Sequence, residues 1–316
     1  MQQQSPVIGY AQQILTEVRK AVVGKDDVLL RALAAILAGG HILMEDIPGV
    51  GKTTMALAFS KAMSLKQNRM QFNPDVLPSD VTGYSVPDQV TGQPVYRPGS
   101  VLCNLFLADE LNRATSRTQS ALLEAMEEDQ VTVDGISHKL PSPFIVIATQ
   151  NPAGAAGTQL LPDSQTDRFM VRLSLGYPSA KDEIAMVRAR QEVDPMTTIT
   201  PVVTAQQLSE LRNQVQSTFI GEEVTAYAVS LIQATRTDDR LLRGASPRAT
   251  LALVAMSKAI AQLRGRTYVI PRDIQEAYRT TQAHRLEMAP GAIGQGMTPQ
   301  QVLEDILSKT PAPKLR

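Results

Sequence analysis

Apolar residues recur at three- and four-residue spacing across 8–20 and again across 25–37, the pattern of two amphipathic helices. Gly39-Gly40 closes the second with a C-cap signal. The period then changes. His41-Ile42-Leu43-Met44 reads as a short buried strand, and after a Gly-rich turn a helical pattern runs to about Met63. Arg69 to Phe72 predicts a second strand. From Asn73 to Ser100 the chain is rich in Pro, Gly, Asp and Thr, with Thr91-Gly92 as a hairpin turn; a connection that long is expected to be functional. The apolar run Val101 to Leu107 ends in Asp109-Glu110 and reads as a central parallel strand. Ser116 to Glu128 is an amphipathic helix carrying Ala121, Leu122, Ala125 and Met126. Val131 to Val133 and Ile136 to Leu140 flank Asp134-Gly135, a two-residue hairpin signal. Phe144 to Ala148 is another buried strand, ending at Thr149-Gln150-Asn151, and Val171 to Leu175 is the last.

After Tyr177-Pro178 only helical periods remain: about Lys181 to Val193, Ala205 to Ser217, Glu222 to Thr235, Pro247 to Leu263 and Pro271 to Arg285. Thr204 with Gln207 forms a capping box, and Ser246-Pro247 puts proline in a first turn. Pro290 to Gly296 reads as a loose linker before a last short helix opened by Thr298-Pro299. The order predicts an α/β fold. A doubly wound parallel sheet (αβα) covers 1–178, a small all-helical domain 179–288, and a linker with a short helix 289–316.

Composition narrows the function. At 316 residues and 43% hydrophobic, the chain can bury the cores of about two domains. Lys+Arg and Asp+Glu are balanced at 31 each, without the basic excess usual in nucleic-acid-binding chains. With no Trp and 4% aromatic residues, base-stacking platforms are not expected. The lone Cys103 excludes an intramolecular disulfide and reads as a buried, inert thiol in a reducing compartment. Met1 to Pro6 lack the basic and apolar regions of a signal peptide. Val28 to Met44, interrupted by Arg31, Gly39, Gly40 and His41, is too broken to span a bilayer. A cytoplasmic chain with no membrane span is expected.

The strand–turn–helix around Pro48-Gly49-Val50-Gly51-Lys52-Thr53-Thr54 is the context of a phosphate-binding loop. Gly49 and Gly51 let backbone N–H groups turn inward toward phosphate oxygens, and the helix beginning at Lys52 aims its positive end at the same place. Lys52 can reach the β- and γ-phosphates, and the Thr53 hydroxyl can ligate Mg²⁺. Asp46 stands where the usual pattern begins with glycine. An apolar strand ending in Asp109 puts a second Mg²⁺ ligand beside the loop, and Glu110 can orient and deprotonate an attacking water. Asn151, ending another strand, can hold that water against the γ-phosphate. The fork of Arg168 suits phosphate. Arg248, opening a helix of the second domain, could reach back over the nucleotide.

These residues give the chain a resemblance to AAA+ ATPases of the MoxR family. Asp109-Glu110-Leu111-Asn112-Arg113-Ala114 resembles that family's Walker B signature, Ala148 to Pro152 its sensor-1 strand, and Leu161 to Phe169 its arginine-finger segment. Gly244-Ala245-Ser246-Pro247-Arg248-Ala249 is similar to its sensor-2 helix start. Val22-Val23-Gly24-Lys25 is similar to the stretch lining the adenine pocket, so Val23 and Gly24 join the nucleotide-binding set. Asn73 to Gly83 matches the helix-2 insert (about 73–100), and the hairpin (about 130–140) fits the pre-sensor-1 β-hairpin. The resemblance implies a homo-oligomeric ring, usually a hexamer, binding ATP and Mg²⁺ between subunits. Arg168 would act in trans and Arg248 in cis. It further implies chaperone-like remodelling, maturation or metal insertion of a client protein, with a von Willebrand factor A-domain partner. Departures are Asp46, Gln159 where an aromatic is frequent, and Thr166 where an apolar residue is frequent; the last two remove no group the chemistry needs. Segment 73–100 and the hairpin, with Tyr84 and Tyr96, are candidate client contacts. A helicase-like nucleic-acid motor is disfavoured by the charge balance and by the little positive charge of His138 and Lys139. A magnesium-chelatase-like motor subunit would share nearly every motif, and a nucleotide-gated scaffold would dispense with the acid pair.

Overall fold

The computed structural model describes residues 6–151 and 160–314. Pro152 and Gln159, both used in reading the motifs, lie outside the described residues. Two helices, α1 (Pro6–Arg19) and α2 (Asp26–Leu37), lead into β1 (Ile42–Glu45) and, across the Gly-rich turn, α3 (Lys52–Ala62). After β2 (Gln67–Gln71) comes the 73–100 segment, which holds α4 (Pro78–Thr82) and a hairpin of β3 (Gly83–Pro87) and β4 (Pro94–Pro98). There follow β5 (Leu105–Asp109), α5 (Ser116–Glu128), the hairpin β6 (Gln130–Val133) and β7 (Ile136–Lys139), β8 (Ile145–Gln150), α6 (Asp163–Thr166) and β9 (Val171–Leu173). The rest is mainly helical: α7 (Ala180–Glu192), α8 (Ala205–Gln216), α9 (Glu222–Arg236), β10 (Leu241–Arg243), α10 (Pro247–Leu263), α11 (Pro271–Thr281), β11 (Glu287–Met288), α12 (Pro290–Gly294) and α13 (Pro299–Lys309).

The main sheet runs β2-β5-β8-β1-β9, and every pairing is parallel. Its inner strands are buried on both faces, and alternate residues serve two cores. Ile42, Leu105, Leu107, Ile145 and Ile147 face the side covered by α1, α2 and α3. Leu43, Phe106, Ala108, Val146 and Ala148 face α5 and the 73–100 segment. Because the strands are parallel, the carboxyl ends of β1, β5 and β8 share one edge. The amino ends, with the residues just before β9, share the other.

Four expectations change, the first being that the region expected to be all-helical also holds an antiparallel strand pair, β10 with β11. The apolar run from Val101 is not one strand: Leu102 N–H bonds Gly99 O at 3.2 Å, and Cys103 N–H bonds Val101 O at 2.7 Å. That turn leaves only Leu105–Asp109 in the sheet, since the backbone polar groups of 101–103 are met locally. The helix predicted to Arg285 ends at Thr281 and is followed by a 3₁₀ turn, Ala283–Arg285. The loose linker at 290–296 contains α12, and α13 packs its buried Val302, Leu303, Ile306 and Leu307 toward α9 and α11. Both capped helix starts form as read: Thr204 Oγ1 caps α8 and Ser246 Oγ caps α10. Cys103 is fully buried, and burial pushes its thiol up to about 11. Tyr96 stacks on His138 at 3.7 Å between ring centroids, which joins the β3–β4 and β6–β7 hairpins. Among the described residues no helix is long and apolar enough to cross a membrane.

Candidate functional site

At the carboxyl edge of the sheet lies a cavity of about 350 Å³ lined by Pro48, Gly49, Gly51, Lys52, Thr53, Thr54, Arg69, Gln71, Asp109, Glu110, Thr149 and Asn151. Gly49 and Gly51 adopt φ values of 86° and 102°, a region that disfavours side chains. A Cβ built on either would meet no atom within 4 Å. The loop therefore curls around open space instead of packed protein, the form a phosphate cradle takes. Val50 turns its side chain down onto the core. Lys52 is 8% exposed and donates from Nζ to Asp46 O at 2.5 Å and Ile47 O at 3.1 Å. Burial lowers its pKa, opposed by the charges of Asp46, Asp109 and Glu110.

Thr149 joins the two acidic residues. Its hydroxyl donates to Asp109 Oδ1 at 2.6 Å and accepts the Glu110 N–H at 2.8 Å. Asp109 Oδ2 pairs with Arg69 Nη2 at 2.8 Å. Glu110 holds a left-handed backbone at φ 54°, directly after the strand. This aims its carboxylate along the cavity, where Oε2 pairs with Arg113 Nη1 at 2.9 Å and Oε1 accepts from Asn151 Nδ2 at 3.3 Å. A hard cation needs oxygen donors, and the Thr53 hydroxyl with the Asp109 carboxylate fit Mg²⁺ once Arg69, half exposed, yields its oxygen.

Asp46, the departure at the head of the loop, is not among the residues of positive φ, so this position has no need of glycine. Its carboxylate accepts from Gly176 N–H at 2.7 Å, Ser174 Oγ at 2.9 Å and Ile47 N–H at 3.0 Å. Burial opposes ionisation, but these bonds hold the carboxyl below its usual range. Thr166, the other described departure, is buried and satisfied locally by Asp163 O at 3.0 Å.

The cavity thus gathers Pro48, Gly49, Gly51, Lys52, Thr53, Thr54, Asp109, Glu110 and Asn151. Val23 and Gly24 are not part of its lining. Gly24 lies against the start of α7, where a Cβ on it would fall 2.2 Å from Asp182 Cγ, and the neighbouring Lys25 Nζ bonds Tyr177 O at 2.7 Å. Arg168 and Arg248 are elsewhere too. β9 begins in register with the start of β1, which puts Arg168 near the amino edge of the sheet. Four residues of β1 separate the two edges by roughly 13 Å. α5 starts near Leu111 at the carboxyl edge and ends where Met126 O meets His41 Nε2 at 3.1 Å, at the amino edge. There Glu127 takes both Arg168 and Arg248. Arg248, expected over its own subunit's nucleotide, is presented by α10 at the edge remote from the phosphate loop. Arg69 and Thr149 were missed. Neither stands out in the sequence, since their roles arise from pairing of β2, β5 and β8.

The profile of the ATPase family associated with various cellular activities (AAA) matches residues 41–171, and that of the AAA lid domain matches 233–306. The chain is 42% identical to the uncharacterized protein YeaC of Bacillus subtilis over 98% of this chain and 96% of that one. It is 34% identical to the chaperone MoxR1 of Mycobacterium tuberculosis over 96% of this chain and 82% of the relative. A crystal structure of a Cytophaga hutchinsonii protein thought to be an ATPase superposes with a TM-score of 0.90 at 36% identity, covering 98% of this chain and 96% of that one.

Proposed function

The chain belongs to the MoxR family of AAA+ ATPases, and from that premise we propose that it hydrolyses Mg²⁺-ATP at sites shared by neighbouring subunits of a ring. The work is chaperone-like: turnover remodels, matures or loads metal into a client protein, together with a von Willebrand factor A-domain partner. One observation carries the hydrolytic reading. Lys52, Thr53, Asp109, Glu110 and Asn151 line one cavity, although up to 99 positions separate them in the chain. Lys52 and the loop N–H groups hold phosphates, Thr53 and Asp109 hold the cation that neutralises developing charge, and Glu110 with Asn151 orients and deprotonates water.

Among the described residues, neither Arg168 nor Arg248 lines this cavity. Arg168 and Arg248 lie together at the opposite edge, and a second copy docked there would bring both to its neighbour's triphosphate. Both arginines are therefore read as acting in trans. Glu110→Gln should retain ATP affinity and lose about 10²–10⁴-fold in turnover, the range for removing a general base. Unchanged turnover would remove Glu110 from the reaction. The same variant, held in ATP, is the bait for the partner. Recovery of neither a von Willebrand factor A-domain protein nor a client in a pull-down would count against the remodelling reading.

A further inference from the structure

Glu127 takes no part in the nucleotide cavity, yet it holds both arginines on which the shared site depends. Its Oε2 lies 2.6 Å from Arg168 Nη1, and its Oε1 accepts from Arg248 Nη2. The three side chains come from three elements: the last turn of α5, the segment before β9 and the first turn of α10. Arg168 Nη1 also donates to Leu123 O at 3.0 Å, one turn back on α5. The backbone around the group is pinned as well. Asp167 accepts from Ser246 Oγ at 2.9 Å and lies 3.0 Å from Arg285 Nε, while Arg285 Nη2 donates to Phe169 O at 2.8 Å.

Two guanidinium groups brought to one spot repel unless an anion stands between them. A carboxylate has two oxygens, and here each arginine takes one. The trio keeps a net single positive charge, two cations against one anion, so it still attracts phosphate. Its members are 29%, 46% and 30% exposed (Arg168, Arg248 and Glu127), open to an incoming group. The Nε of Arg168 is buried and has no hydrogen-bond partner among the described residues.

We propose that Glu127 is the positioning residue of a two-arginine donor that one subunit offers to the triphosphate held by its neighbour. This rests on the shared-site reading above. Glu127 sets the separation and orientation of the two forks before a neighbour arrives. Because Arg168 belongs to the sheet domain and Arg248 to the helical one, the same carboxylate keeps the donor together only while the first turn of α10 stays within reach of the last turn of α5.

The test compares steady-state ATP turnover of wild type, Glu127→Gln and Glu127→Asp, with melting temperatures recorded alongside. Glu127→Gln keeps the size and removes the charge. Its kcat should fall about tenfold or more with KM within about twofold, since the cavity is untouched. Glu127→Asp restores the charge and should recover most of the loss. Mixing Glu127→Gln subunits with Lys52→Ala subunits should raise turnover above that of either alone, because an intact cavity then meets an intact arginine pair. Wild-type kcat in Glu127→Gln overturns the inference, as does a loss that mixing does not repair, which would mark damage within the subunit. A wild-type protein with no turnover would instead remove the shared-site reading, and the positioning role with it.

Discussion

Asp46→Ala examines how the phosphate loop is tied to the rest of the fold. Asp46 is 7% exposed, and its carboxylate accepts Gly176 N–H and Ser174 Oγ–H, both about 130 positions away, besides the neighbouring Ile47 N–H. A hydrogen bond to a charged group contributes about 1.5–3 kcal/mol net. The Ile47 bond is local and can be replaced by water. The two long-range bonds then sum to about 3–6 kcal/mol. Water entering from the open cavity compensates part of this, so a loss of about 2–4 kcal/mol is expected at pH 7. Asp46→Asn, which keeps one good acceptor, should fall between. Urea unfolding followed by circular dichroism measures the change as a shift in midpoint. The sign with pH is fixed: the folded carboxyl titrates below its unfolded value, so its stabilisation is present above about pH 4 and lost as pH falls through the folded pKa. The gap between wild type and variant should therefore close in acid. Because Lys52 Nζ bonds the backbone carbonyl of residue 46, ATP affinity should weaken in parallel. A midpoint shift worth less than about 0.5 kcal/mol, the size of an ordinary surface change, would refute the anchoring argument.

The other expectations concern single groups. Asn151→Ala frees one oxygen of Glu110 and removes the amide that positions water; turnover should drop about tenfold or more with ATP binding retained, and a kinetic assay showing a change in KM alone would assign Asn151 to binding. Asp273, fully buried, accepts from both Nη atoms of Arg266 and from Ile270 N–H, so Asp273→Ala should cost about 3 kcal/mol in chemical denaturation, and a neutral result would mean the arginines find water. Burial pushes His41 down to about 4, and its Nδ1 accepts Val146 N–H at 3.0 Å, a bond the protonated ring cannot make. The unfolded chain takes up that proton near pH 6.5, so stability should fall from about pH 6.5 to 4 by at most about 1.4 kcal/mol per unit. His41→Gln should flatten the slope in part only, because His284 is also held well below its usual value by burial and the neighbouring Arg285.

The nucleotide cavity could be read from residues because each of its parts is a local signal. Gly49 and Gly51 occupy backbone angles that few other residues adopt, and the apolar runs before Asp46, Asp109 and Asn151 are long enough to be buried strands. Once such strands lie parallel, their carboxyl ends must meet, and Lys52, Asp109, Glu110 and Asn151 converge by geometry alone. Other features depend on partners far along the chain. Hydrophobic period reports that a residue is buried, not what it touches, so it could not show Thr149 joining Asp109 to Glu110 or Arg69 covering Asp109. Nor could it show Asp46 gripping the 174–176 turn. The placement of Arg248 was decided by how α10 and α11 seat against α2 and β9. Which edge of a sheet a charged side chain reaches is set by the packing of whole helices, and the residues around it carry no mark of that choice.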